Sequence, residues 1–163
     1  MRAPSITKKI LNFLWLIGIY ESSESRSSKS PKSYSDILER ATKVINERRL
    51  YLNDNLSMSW LSKETGTNRT YLSRAFNENG VSYYDFINRL RVNTARSLIE
   101  KCAEKNQSLM LEDLSVMCGF GSSRALIRHF KNVTGTTPSG YYKYLVAERA
   151  TPPPQSDPDE DSV

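Results

Sequence analysis

The pattern Leu-Ser-x-x-x-Gly, followed by Leu-x-Arg-x-Phe, occurs twice in this chain with a long amphipathic segment between the copies. The first copy places Leu61, Ser62, Gly66, Leu72, Arg74 and Phe76, and the second places Leu114, Ser115, Gly119, Leu126, Arg128 and Phe130. Gly80 and Gly135 close the two copies. The register slips by one residue after the first Gly and by another after the Phe, so the loops differ while the pattern persists. Each copy reads as a short helix, a turn at Gly and a second helix. The Leu and Phe residues fill the space between the helices, and Ser62 and Ser115 are small enough to let them approach closely. Gly66 and Gly119 supply the left-handed backbone that ends the first helix. In so small a unit the second helix keeps one face on the core and leaves the other to solvent.

The segment between the copies, residues 81–105, repeats apolar residues at three- and four-residue spacing: Tyr83, Phe86, Ile87, Leu90, Ala95, Leu98, Ile99 and Cys102. This spacing predicts one long helix with one buried face, with Ser82 as N-cap and Asp85 completing a box-like start. Roughly twenty residues of helix span about 30 Å, close to the ~34 Å between successive major grooves on one side of B-DNA. Upstream, Ile37, Leu38, Ala41, Val44 and Ile45 share a stripe and predict a supporting helix, with Asp36 and Glu39 at its start and Asn53-Asp54-Asn55 as a polar turn after it. Downstream, Thr137 caps a last helix that Pro138 begins, with Tyr141, Tyr144 and Leu145 packing it under the second unit. The fold class is therefore all-α, with about seven helices. One domain over 34–150 holds two helix-turn-helix subdomains, 34–81 and 108–147, joined by a linker helix over 82–105.

The second helix of each unit carries outward residues of the kind that read a duplex. With Thr67 or Asn68 as cap, the first presents Arg69, Thr70, Ser73 and Arg74; the second, starting near Ser122, presents Ser123, Arg124, Ile127, Arg128 and Lys131. Arg donates a bidentate pair to guanine, Ser and Thr bond base edges or phosphates, and Ile touches a thymine methyl. Helix N-termini suit phosphate oxygens. The bland alternative is a solvated basic face, with Arg74 paired to Glu78 on its own helix for a few tenths of a kcal/mol. His129 points about 100° away from Arg128 and reads as packing or solvent-facing, not as a ligand.

The formal charge of the 163 residues is +5, and the last thirteen carry Asp157, Asp159, Glu160 and Asp161 with no basic residue, so the rest stands at +9. That excess suits a polyanion, whether nucleic acid or anionic lipid. The tail itself reads as disordered and able to mask a basic face. Cys102 and Cys118 both fall where the pattern reads as helix, and with His129 as the sole histidine they offer no zinc-ligand spacing. No metal and no cofactor is expected. Residues 1–33 read as an appendage: Arg2, Lys8 and Lys9 precede an apolar run from Ile10 to Tyr20, too short to cross a bilayer, and a Ser-rich linker follows. A secretory signal, an interfacial or partner-binding helix and the remnant of a larger sensor all fit that run.

These residues carry a family likeness. Tyr71-Leu72-Ser73-Arg74-x-Phe76, the run Phe86-Ile87-Asn88-x-x-Arg91 with Ala95 and Leu98, and above all Gly119-Phe120, Phe130-Lys131 and Gly135-x-Thr137-Pro138 resemble the DNA-binding domain of AraC/XylS transcriptional regulators, over about Leu56 to Tyr142. The resemblance implies an all-helical, homeodomain-like fold in a bacterial cytoplasmic, nucleoid-associated protein whose two heads read adjacent major grooves of promoter DNA, commonly activating through RNA polymerase. It implies base contacts at Thr70, Ser73 and Arg74 and at Ser123, Arg124, Ile127 and Arg128, with Asn68, Arg69, Ser122 and Lys131 on phosphates. Ala125 and Leu126 depart from the family pattern, where larger or aromatic residues are frequent, and the first unit is one residue short before Gly80.

Two further classes are set against this reading. A helical adaptor for proteins or membrane surfaces would work through the basic N-terminus and Ile10 to Tyr20. An alkyl-transfer DNA repair enzyme would need a zinc-activated cysteine cluster, which two separated cysteines do not supply. The expectation is a non-enzymatic regulator, standing alone or as the output end of a membrane-linked sensor.

Overall fold

Side-chain caps set the helix starts in the computed structural model, which describes residues 33–150. Among these residues seven α-helices follow one another: α1 Tyr34–Glu47, α2 Met58–Glu64, α3 Arg69–Glu78, α4 Tyr83–Glu104, α5 Leu111–Met117, α6 Ser123–Thr134 and α7 Pro138–Ala150, with a 3-10 turn at Leu50–Leu52 after α1. Ser33, Ser57, Asn68, Ser82 and Ser122 each accept a first-turn backbone N–H at the N-cap, and Thr137 Oγ1 accepts from Gly140 N at 3.1 Å. Each such cap is worth about 1 kcal/mol. Asn68, not Thr67, caps α3. The start of α1 lies earlier than its carboxylates suggest, because Ser33 does the capping while Asp36 sits within the first turn. The apolar run Ile10 to Tyr20, the Ser-rich linker and the acidic tail lie outside the described residues.

The buried side chains form two clusters. Ile37, Leu38, Ala41 and Ile45 of α1 meet Leu61, Leu72, Phe76 and the first half of α4 in one; Leu114, Cys118, Phe120, Leu126 and Phe130 meet Val92, Ala95 and Ile99 of α4 in the other. Ser62 and Ser115 are buried between paired helices, and their hydroxyls donate to the Ser59 and Glu112 carbonyls of their own helices, so no polar group is stranded there. Gly66 and Gly119 take φ +64° and +75° after α2 and α5.

The linker helix departs from the single buried face its spacing predicts. Tyr83, Phe86, Ile87 and Leu90 face the first cluster, but Val92, Ala95 and Ile99 face the second, and at about 100° per residue the two groups point roughly 160° apart. The buried side switches between Leu90 and Val92. Leu98 is only partly buried and packs against the second cluster, and Cys102 is only half-buried. At the far end Tyr142, rather than Tyr144, joins Tyr141 and Leu145 against the second cluster; Tyr144 stays exposed. Cys118 is the C-cap of α5, not a helical residue, and burial pushes its thiol up to about 12, leaving it an unreactive core side chain.

Candidate nucleic-acid interface

Leu72 and Phe76 anchor α3, and Leu126 and Phe130 anchor α6, all with no exposure. These anchors fix which side of each helix faces out. On α6, Arg124, Ile127, Arg128 and Lys131 fall at i, i+3, i+4 and i+7, a single stripe on the side away from the anchors. Arg124, Arg128 and Lys131 are exposed and Ile127 is half-buried. Aligning the Leu-x-Arg-x-Phe elements puts Thr70, Ser73, Arg74 and Asn77 at the same four places on α3, with Ser73 half-buried and the others exposed. The sequence pattern alone does not single out Asn77. It is the counterpart of Lys131, and only the shared register marks it.

The remaining expected residues sit at the helix entrances. Asn68 Oδ1 accepts from Tyr71 N at 2.9 Å and Ser122 Oγ from Ala125 N at 3.3 Å, which leaves the Asn68 amide and the Ser122 hydroxyl proton as donors for a phosphate. Arg69 is exposed and Ser123 half-buried, each as the first residue of its helix.

The electrostatics separate these helices from the rest of the surface. Among the described residues, ion pairs join Lys43 to Glu47, Arg48 to Glu64, Arg96 to Glu100 and Arg149 to Glu104, and none of these involves the stripe cations. α6 contains no carboxylate at all. Arg74 does not pair with Glu78; its Nη1 donates to the Tyr34 hydroxyl at 3.4 Å, and that contact, foremost, favours the charged guanidinium. Arg128 Nη2 lies 3.3 Å from His129 Nε2. Each arginine is thus hydrogen-bonded to a neutral neighbour and stands outside the ion pairs.

Of the two readings its position left open, packing or solvent-facing, His129 takes the first: its ring stacks on Phe120 at 5.8 Å between centroids with 15° between planes. Burial first, then the Arg128 and Arg91 charges, hold the imidazole below its usual 6.5, with Asp85 pulling the other way. The neutral ring can therefore accept from Arg128. Because the folded protein binds this proton less tightly than the unfolded chain, stability is complete above the unfolded value and falls as pH drops below it. Thermal melts from neutral to mildly acidic pH are expected to show a falling midpoint that His129→Gln flattens. An identical slope in the variant would place the titration elsewhere.

A family model described as a helix-turn-helix domain matches residues 61–144, just over half of the chain. The chain belongs to the AraC/XylS family of helix-turn-helix regulators. An uncharacterised helix-turn-helix-type transcriptional regulator of Staphylococcus aureus is 30% identical over 104 residues, which are 63% of this chain and 13% of that protein. Among solved structures, the C-terminal domain of the two-component response regulator yesN of Fusobacterium nucleatum is 25% identical with a TM-score of 0.54, covering 64% of this chain and 95% of that one. The DNA-binding domain of AdpA, a global transcriptional factor solved in complex with a target DNA, has a TM-score of 0.57 at 22% identity and covers 69% and 98% of the two chains. That last likeness bears on the fold alone. In AraC/XylS terms, the two matched units here are α2–α3 and α5–α6.

Two features of this AraC/XylS domain were not read from its sequence. Tyr71, nearly half exposed, stands beside Tyr34 with ring centroids 6.1 Å apart, and both line an open groove with Ser33, Ile37, Gly66, Thr67 and Asn68 at the entrance of α3. Their separation along the chain hides the pairing. The second feature is Arg91, whose donors reach a turn of the first unit across the linker. Among the described residues no helix is long and apolar enough to cross a membrane.

Proposed function

We propose that this chain is a sequence-specific, double-stranded-DNA-binding transcriptional regulator that inserts α3 and α6 into adjacent major grooves. The observation that carries the reading is the shared stripe: two matched helices carry the same four positions on the side away from their anchors, three of them exposed on each, with an Arg outside the ion pairs at the same place on each. Thr70, Ser73 and Arg74, and Ser123, Arg124, Ile127 and Arg128, are assigned to base edges; Asn68, Arg69, Ser122 and Lys131 are assigned to phosphates. Asn77 joins the second group by its match to Lys131. The described length of α4, Tyr83–Glu104, gives a spacer of roughly 33 Å, which suits two heads on one side of a duplex.

The reading places the protein at the nucleoid in the bacterial cytoplasm, with activation through RNA polymerase as the regulatory outcome that family membership suggests, and assigns no catalysis to these residues. Selection of bound sequences from a random duplex library with the full chain tests it. The expected product is a bipartite site with half-sites about one helical turn apart. A pool that stays random after repeated rounds, at low salt as well as high, would remove the sequence-specific reading.

A further inference from the structure

At the point where α4 switches its buried side, Arg91 touches both heads. Its Nε donates to the Tyr51 carbonyl at 2.7 Å and its Nη2 to the Asn53 carbonyl at 2.9 Å, so the guanidinium fork caps the 3-10 turn of the first head. The same guanidinium lies 5.7 Å from the centroid of the Phe120 ring, which is buried and stacks in turn on His129 of α6. Burial is the main influence on Arg91, lowering its proton affinity, while Tyr83 and Asp54 favour its charge.

The backbone packs at the same seam. A Cβ on Gly119 would stand 2.5 Å from the Tyr51 carbonyl oxygen and 2.7 Å from Leu52 backbone atoms. Only glycine therefore lets the turn of the second unit lie against the 3-10 turn of the first. The two hydrophobic clusters are distinct and sit on different sides of α4. What the seam adds is a polar and aromatic strut running from residues 51–53 through Arg91 and Phe120 to the recognition helix α6.

We infer that Arg91 is a positioning residue that holds the two heads at one mutual angle and thereby selects the spacing between the two halves of the DNA site. The inference rests, for its DNA part, on the function proposed above. An Arg is required because a lysine ammonium has neither the planar fork to meet two carbonyls nor the flat face to lie on Phe120. Without the strut, only α4 and the backbone contact at Gly119 join the heads, and the effective concentration of the second head at its half-site falls once the first is bound.

Residual dipolar couplings of the full chain in a dilute aligned medium test the positioning without DNA. In the unmodified protein one alignment tensor is expected to fit α1–α3 and α5–α7 together. In Arg91→Met, and independently in Gly119→Ala with Arg91 intact, each head is expected to fit by itself but with a tensor of different magnitude. Arg91→Lys is expected to follow Arg91→Met. A single shared tensor in Arg91→Met and Gly119→Ala overturns the inference, and full rescue by Lys overturns the fork-and-stack geometry. Library selection then reads specificity: the unmodified protein is expected to fix one spacer length, and Arg91→Met to accept several, losing about tenfold on the preferred paired site and nothing on a lone half-site. An unchanged spacer preference overturns the specificity role. A protein that selects no DNA overturns the proposed function, while the couplings still decide whether Arg91 positions the heads.

Discussion

Phe130→Ala is expected to dissolve the core of the second head while the first stays folded. Phe130 is fully buried among Leu114, Phe120, Leu126 and the later half of α4, and Tyr141 contacts its ring at 5.9 Å between centroids. Truncating such a ring removes its transfer energy and leaves a cavity, together about 3–5 kcal/mol. A single small domain has only about 5–15 kcal/mol in total, and each head here is smaller than an ordinary domain. The two clusters share α4 but bury different faces of it, so the loss is not spread over both. Amide hydrogen exchange is expected to show lost protection across α5, α6 and α7 with α1–α3 retained. Phe76→Ala, in the first cluster, is expected to show the reverse. Equal loss in all helices from either substitution would mean that the heads unfold as one unit and that α4 transmits the damage.

The legible part of this fold was whatever repeats or punctuates. Leu61, Leu72 and Phe76 with their counterparts Leu114, Leu126 and Phe130 marked two cores because the same local physics was written twice. Ser82 and Ser122 marked helix starts because a cap is a nearest-neighbour event. The linker is legible only in part: Ala95 follows Leu90 by five residues, which breaks the stripe begun at Tyr83, and Val92 is buried because a second core covers the other side of the helix. The break in spacing marks a change of side, but not which residues cover each side. Helical spacing from Tyr141 favours Tyr144 over Tyr142, whereas the Tyr142 hydroxyl donates to the Gln107 carbonyl, across the seam between α7 and the end of α4. Exposed residues were read more safely than paired ones. The outward positions of α3 and α6 follow from two anchors per helix, but Arg74 with Tyr34, and Arg91 with Tyr51 and Asn53, are contacts between residues about forty positions apart.

Arg74→Ala and Arg128→Ala are expected each to weaken binding to the selected site by about 1–3 kcal/mol and to relax preference at one base pair in its own half-site. The two side chains stand on separate helices with different neighbours, Tyr34 for one and His129 for the other. Their losses are therefore expected to add, giving the double variant roughly 2–6 kcal/mol, about thirtyfold or more. On random duplex the loss is expected to be far smaller, because a non-specific complex engages phosphates and leaves the base edges unread. Lys131→Ala supplies the contrast. If Lys131 meets a phosphate, its loss weakens specific and random complexes alike and makes the slope of log affinity against log salt shallower by about 0.9. Titrations of all three variants on both duplexes across a salt series separate the roles. Arginine variants that lose as much on random as on selected DNA, with a shallower salt slope, would show these two side chains to be phosphate clamps. The base reading of each stripe would then fall to Thr70 and Ser73 on α3 and to Arg124 and Ile127 on α6.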